Sequence, residues 1–335
     1  MSSFADRLRR ANEKAGVRST ARRWVFVPGD QLTDGVGPVS ETRPGELGIV
    51  LLESGWRRER RDHKQKLAMT LASQRHFALE QARRGVAVKV VSGEKGPAAL
   101  LSSLSPKLGR LEMMEAAERE LRIELAPLVE GGQIVVRPNE TWLTTEAHFS
   151  DAFEPDRAWR MDRFYRHVRR DLGVMMEDGK PEGGKWSFDT ENRKRWPGEP
   201  AAPEPPRFSA DAIKREVADL LEERHPKNPG RVDVSSLAAS RRESEALWRW
   251  AMEACLPLFG PFEDAMSTRS KGLFHTRASA LMNNGRLLPR RVLDDVLALD
   301  LPIASKEGFV RQVLGWREFM RHVHIATDGL SLIHI

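Results

Sequence analysis

One cysteine, Cys255, is all that the 335 residues contain. A lone thiol closes no intramolecular disulfide, and it supplies one ligand where zinc or an iron–sulfur cluster takes about four, so the residues at hand imply a metal-free chain. Its apolar setting, ALWRWAMEACLPLF, marks it as an inert core residue. Nothing approaches the roughly 18 consecutive apolar residues of a membrane helix. The opening MSSFADRLRRANEKAGVRSTARRW carries charges with no apolar stretch behind them, unlike a secretory signal. These absences lead us to expect a cytoplasmic protein with no membrane span. Metal spacing among the histidines is also missing. His63, His76 and His275 stand apart, and His322 and His324 fall on different helical faces, so they read as structural or anion-contacting groups.

What is present describes a globular chain. It is 40% hydrophobic and 30% charged, with a mean hydropathy of −0.50, and its length exceeds what one ordinary core organises, which predicts two domains. Lysine plus arginine number 54 against 48 acidic residues, a net charge of +6, and the sequence pI is near 9.6. A basic protein is drawn to polyanions by counterion release, which favours nucleic acid as a partner.

Residues 24–28 (WVFVP) and 48–52 (GIVLL) are short apolar runs bounded by Gly and Pro, the pattern of buried parallel strands. Residues 63–84 predict a helix with Leu67, Leu71 and Phe77 on one face, stopped by Gly85, and VAVKVV (86–91) predicts another strand. Leu111 to Val129 reads as a further helix leading into QIVVR (133–137). Alternating strands and helices predict a doubly wound, Rossmann-like parallel sheet over roughly 20–140. Strand signals then stop. Residues 141–190 are aromatic and basic, 196–207 (WPGEPAAPEPPR) form a proline-rich extended connector, and 209–222 and 240–255 begin an all-α region.

Three stretches carry candidate chemistry. FVPGDQL (26–32) ends a strand at the carboxyl edge of the sheet, where open α/β folds bind ligands; Asp30 and Gln31 share that edge with Glu53, either as ligand contacts or as a capped turn. GGKWSFDTENRKRWP (183–197) reads as a solvated loop or as a clamp for an anion or a partner domain. EGFVRQVLGWREFMRH (307–322), taken as a helix, sets Glu307, Arg311 and Glu318 near one another, with Phe309, Val313, Trp316 and Phe319–Met320 as a buried apolar side. Trp316 followed by Arg317 is either a core Trp whose Arg-Glu neighbours are salt-bridged at the surface or a stacking platform for a displaced base.

The ordered motifs GDQL (29–32), HKQK (63–66), QRHFA (74–78), MDRFYRHVRR (161–170), GGKWSFDTENRK (183–194), FGPFEDAM (259–266), LFHTRASALMNNGRLLP (273–289) and EGFVRQVLGWREFMR (307–321) resemble the prokaryotic iron–sulfur branch of the photolyase/cryptochrome family over nearly the whole chain. The resemblance implies an α/β antenna-chromophore domain (1–140), a connector (141–239) and a partial helical FAD-binding domain (240–329), with 330–335 a non-native tail. It implies 6,7-dimethyl-8-ribityllumazine as antenna beside Gly29, Asp30, Gln31, Leu32 and Glu53. FAD is expected among Phe262, Asp264, His275, Thr276, Arg277, Ser279 and Gln312, with Glu307, Trp316 and Arg317 facing flavin and lesion as the catalytic set. Phe262 stands where the family usually has Tyr, and Ala278-Ser279-Ala280 replaces a usual Leu-Ser-Pro.

The implied activity is light-driven repair of damaged DNA by a monomeric enzyme. Photoexcited reduced FAD would split a pyrimidine dimer, the (6-4) photoproduct, flipped out of the duplex. The alternatives are a blue-light photoreceptor of the same fold, or a lumazine- or DNA-binding module alone. The family continues further, to the rest of the flavin cup, a 4Fe–4S cluster and an active-site histidine. LSLIHI (330–335) resembles translated adapter read-through, so a truncated and inactive fragment is expected. Its last helix would expose Phe309, Val313 and Trp316 and leave it poorly soluble.

Overall fold

A computed structural model describes residues 3–15, 22–54, 61–154 and 158–329; the tail singled out above lies outside them. Two compact units emerge, one of residues 1–140, 206–245 and 280–287, the other of 141–205, 246–279 and 288–335.

The first unit is built on five parallel strands, β1 (Arg23–Phe26), β2 (Leu47–Ser54), β3 (Ala87–Gly93), β4 (Leu111–Met114) and β5 (Ile134–Arg137), in the order β3-β2-β1-β4-β5. This is the doubly wound arrangement the alternating pattern predicts. Val25 pairs with Ile49, and Ile49 with Val88, in register. Side chains alternate across a sheet. Val25, Val27, Ile49, Leu51 and Val88 therefore bury one face against Phe77, Ala78 and Ala82 of the Lys64–Arg83 helix. Trp24, Phe26 and Val50 bury the other against Leu121, Leu125 and Leu128 of the Arg119–Glu130 helix. Both faces being covered is why these strands read as unbroken apolar runs.

One expectation fails here. Leu111 to Val129 is not one helix: Leu111–Met114 is a strand, and the helix starts at Arg119. The residues LEMM are good helix formers, but Leu111 and Glu112 pair with β1 at Trp24 and Val25, and Leu111 to Met114 pair with β5 on the other side. Sheet pairing outweighs a propensity worth only tenths of a kcal/mol per residue.

Among its described residues the second unit holds helices, connecting loops and a hairpin of two-residue strands, β6 (Met176–Glu177) and β7 (Lys180–Pro181), in a region where no strand was expected. Its turn places Asp178 and Gly179 at φ 48° and 75°, the left-handed pair that a tight hairpin needs. Residues 303–326 run as one helix whose middle, Arg311–Arg317, winds as a π-helix. The helix Leu256–Phe262 packs against its start at very short range. Gly260 donates its N–H to Ser305 Oγ at 2.9 Å, and a Cβ at Gly260 would lie 2.7 Å from the Ala304 carbonyl carbon and Ser305 nitrogen. Phe309 and Val313 are 4% and 2% exposed, so the exposed apolar surface expected around them does not exist. Trp316 alone of that trio is open, at 41%.

Candidate functional site

Within the second unit the Met161–Asp171 helix, the 186–193 loop, the end of the Leu256–Phe262 helix and the π-helical run enclose a cavity of about 620 Å³. Its walls combine aromatic faces (Tyr165, Trp186, Phe259, Trp316), cations (Arg166, Arg193, Arg311), acids (Asp162, Asp189, Glu263, Asp264) and Gln312.

A buried polar cluster supports it. Arg311 reaches Asp189 at 3.0 Å, Glu263 at 3.3 Å and Glu307 at 3.6 Å. Glu263 also accepts from Asn192 Nδ2 at 2.8 Å and from Gln312. Glu307 is fully buried and accepts from the Phe188 N–H at 2.9 Å. Burial pushes the carboxyls of Glu263 and Glu307 above their ordinary range, with Arg311 opposing in both. Gly308 makes the cluster possible, because a Cβ there would meet Asn192 Nδ2 at 2.5 Å and Glu263 Oε2 at 2.8 Å. Behind the wall the buried Arg169 donates to the carbonyls of Val174, Met175 and Trp186 at 3.2, 2.6 and 3.0 Å, and its guanidinium lies over the Tyr165 and Trp186 rings.

Of the residues expected to act on flavin or lesion, Trp316, Gln312 and Asp264 line this cavity, and Glu307 lies beneath it. Arg317 does not line it. Its guanidinium stacks on Trp142 at 3.7 Å and pairs with Glu318 at 2.9 Å, and Glu318 accepts from the Leu143 and Thr144 N–H groups and the Thr144 hydroxyl. Trp316 was expected inside the apolar face; the π-helical winding turns it outward instead. Phe262 stacks on Phe274 with centroids 5.2 Å apart. Its neighbours form a strained loop, with Leu273 and Arg277 at φ 45° and 57°; His275 Nε2 meets the Glu263 carbonyl at 3.2 Å, Thr276 is buried, and Arg277 and Ser279 are exposed. Cys255 is buried and its thiol is pushed up to about 12, an unreactive group.

Tyr165, Trp186, Asp189, Arg193, Glu263 and Arg311 complete the cavity without having been assigned a ligand from the sequence. The Glu307–Arg311 spacing was a visible signal for the last of them. Among the described residues no group of three or more His, Cys, Asp or Glu could hold a metal ion, and no helix is long and apolar enough to cross a membrane.

The strand-edge cluster belongs to the first unit. Leu32 is in the core, and its N–H meets the Asn284 carbonyl at 2.9 Å. The Gln31 amide donates to the Glu115 carbonyl at 2.9 Å, and Glu53 is engaged twice by Arg75 at 2.8 Å. Gly29 lies against the Lys64–Arg83 helix, where a Cβ would meet Thr70 at 3.3 Å. Asp30 differs: burial pushes its carboxyl up to about 6, against hydrogen bonds from its own N–H and that of Ala117. Because the folded value exceeds the unfolded 3.8, Asp30 favours the fold most at low pH, and that contribution is lost as pH rises through about 6. Asp30→Asn should therefore stabilise the protein at pH 7 by about 1–3 kcal/mol, with the gain shrinking toward pH 4. Urea melts of both proteins at the two pH values would show it, and an equal gain at both would refute the assignment.

Known proteins share this architecture. The family model for deoxyribodipyrimidine photo-lyase-related protein matches residues 25–236, more than half of the chain, and the chain belongs to that family. It is 29% identical over 321 residues to a (6-4) photolyase of Agrobacterium fabrum (strain C58), covering 90% of this chain and 62% of that protein. A crystal structure of a bacterial class III photolyase from Agrobacterium tumefaciens superposes with a TM-score of 0.56 at 14% identity, covering 93% of this chain and 60% of that one, and so shares the fold. The chain thus spans about three fifths of the length of the relatives it matches.

Proposed function

We propose that the protein serves light-driven repair of damaged DNA, as a monomer acting on the (6-4) class of pyrimidine dimer, with FAD as its redox group. The observation that carries this reading is the cavity of the helical unit, in a chain of the photolyase-related family. Its residues fit a flavin. Tyr165, Trp186, Phe259 and Trp316 supply faces for a flat ring, and Arg166 and Arg193 supply charge for an anionic tail. Gln312, Asp264 and Trp316 would hold the group at the cavity, and Phe262, His275, Thr276, Arg277 and Ser279 would flank its pyrophosphate. When bound, photoexcited reduced FAD supplies the electron that splits the dimer.

The chain's own residues bind and exclude. Trp316, half open at the cavity, offers a stacking face to a flipped base, and Phe259 and Trp186 would exclude water from a bound ring. Arg317 acts indirectly, fixing Glu318 and with it the 141–145 segment. In the α/β unit, Asp30, with Gly29, Gln31, Leu32 and Glu53 around it, would hold the lumazine antenna. A 4Fe–4S cluster has no ligand set among the described residues.

Purified protein supplied with FAD and illuminated on an oligonucleotide carrying a (6-4) lesion tests the reading. Light-dependent loss of the lesion would support it, and folded protein that takes up no FAD and repairs nothing would support the inactive fragment expected from the sequence. Stoichiometric FAD with no repair would reject it in favour of photoreception, and a lumazine band without flavin would leave only an antenna module. Trp316→Ala should weaken binding of the lesion oligonucleotide by about 1–3 kcal/mol, read by fluorescence anisotropy.

A further inference from the structure

Three side chains converge on the carboxylate of Glu263. Asn192 donates from Nδ2 to Oε2 at 2.8 Å, Gln312 donates from Nε2 to Oε1, and Arg311 Nη2 lies 3.4 and 3.3 Å from the two oxygens. An ionised carboxylate only accepts, so each amide that meets it presents its NH2 and turns its oxygen elsewhere. The consequence is visible at Asn192. Its Nδ2 also faces the Ala304 carbonyl at 3.4 Å, and its Oδ1 is left buried without a hydrogen-bond partner. At Gln312 the same choice turns Oε1 away from Glu263, on a half-buried side chain that lines the cavity. Among the described residues no hydrogen bond engages that oxygen.

We propose that Glu263 is a positioning residue that locks the Gln312 amide with its oxygen toward the cavity, so that the site selects a ring presenting an N–H there. The proposal rests on the functional reading of the cavity and deepens it. The chemistry that answers such an acceptor is a cyclic imide, a ring N–H between two carbonyls, which the pyrimidine half of a flavin and a thymine base have in common. Gln312 touches the ligand, and Glu263 acts through Gln312. A ring with a bare acceptor nitrogen at that edge would set two acceptors against each other and be refused. The lock holds while Glu263 is ionised. Arg311 favours that form, whereas burial and the charges of Asp264 and Glu307 oppose it, and the carboxyl sits above its ordinary range. Asp189 joins through Arg311 at 3.0 Å, Arg193 faces Asp264 at 3.8 Å, and His275 Nε2 meets the Glu263 backbone carbonyl at 3.2 Å. Protonated Glu263 gains an O–H that donates, which frees the amide to reverse. Selection should therefore fade as pH falls through the raised value.

Methylating the imide nitrogen removes the donor and leaves the ring otherwise intact. By titration calorimetry the protein should bind FAD about 30-fold more tightly than N3-methyl-FAD, and in Gln312→Met the ratio should fall to about threefold. Glu263→Gln replaces the carboxylate with a neutral group that donates as readily as it accepts, and should bring the ratio to about fivefold, with partial recovery in Glu263→Asp. A merely structural role for Glu263 would weaken both ligands together and leave the ratio unchanged, which would overturn the assignment. The ratio of the parent should collapse at acid pH while that of Gln312→Met stays flat. A single-stranded thymidine oligonucleotide and its N3-methylthymidine counterpart distinguish the two sources. Preference within the flavin pair assigns Gln312 to the cofactor, and preference within the oligonucleotide pair assigns it to a base. No preference in any pair that binds sinks this proposal and spares the functional reading. Folded protein that binds neither FAD nor oligonucleotide sinks both. Circular dichroism identifies a misfolded variant, and should Glu263→Gln be one, the pH profile of the parent decides.

Discussion

Glu318→Ala should cost about 3–5 kcal/mol of stability, the largest effect expected of any single substitution in the helical unit. The carboxylate is fully buried and serves four donors: the Leu143 and Thr144 N–H groups at 3.0 and 2.9 Å, the Thr144 hydroxyl at 2.8 Å and Arg317 at 2.9 Å. Truncation strands two backbone N–H groups and a guanidinium that burial already disfavours as a charge. His322 then loses the order of its partner, since its Nε2 meets the same Thr144 hydroxyl at 2.8 Å while its ring stacks on Phe149. Glu318→Gln, which keeps one acceptor oxygen, should lose less. Urea denaturation of the three proteins would check the order, and an unaltered midpoint for Glu318→Ala would show that the network contributes nothing.

Gly260→Ala is the second large effect, about 2–3 kcal/mol, and it comes from overpacking. All three of the new methyl's nearest neighbours are backbone atoms, Ala304 C, Ser305 N and Ala304 O, at 2.7–2.9 Å. No side chain can swing aside, so the two helices have to part. That breaks the Gly260–Ser305 bond and shifts Phe259, which is wall of the cavity. Thermal melting should report the loss of stability, and ligand titration a loss of affinity beyond it. A variant as stable as the parent would show that the helices have slack the packing does not suggest.

Much of the α/β unit is legible in the sequence because its strands are buried on both faces and punctuated by Gly and Pro. β4 was hidden because four residues of high helix propensity give no periodic signal. In the helical unit, Glu307 and Arg311 could be put together by spacing alone. Trp316 could not be placed, since an α-helical count from Phe309 and Val313 sets it in the core. The residues that complete the cavity come from four separate stretches, and nothing local in MDRFYRHVRR marks Tyr165 as wall and Arg169 as its buried support. Asp30 was legible as a strand-edge acid; its raised proton affinity depends on how deeply the fold encloses it.

The π-helical run Arg311–Arg317 acts as a phase shifter. A π turn holds one residue more than the α turn it interrupts, so everything after it is rotated by about 100° relative to an unbroken helix. The helix is thereby two rulers joined out of step. The first, through Glu307 and Arg311, is indexed to the buried polar cluster, and the second, from Glu318 onward, to the Thr144 segment. Trp316 and Gln312 fall at the joint and gain the cavity. Removing one residue from the run would make the helix more regular and put the two rulers in step, at the cost of setting either the cluster or the Glu318 network against the wrong neighbours.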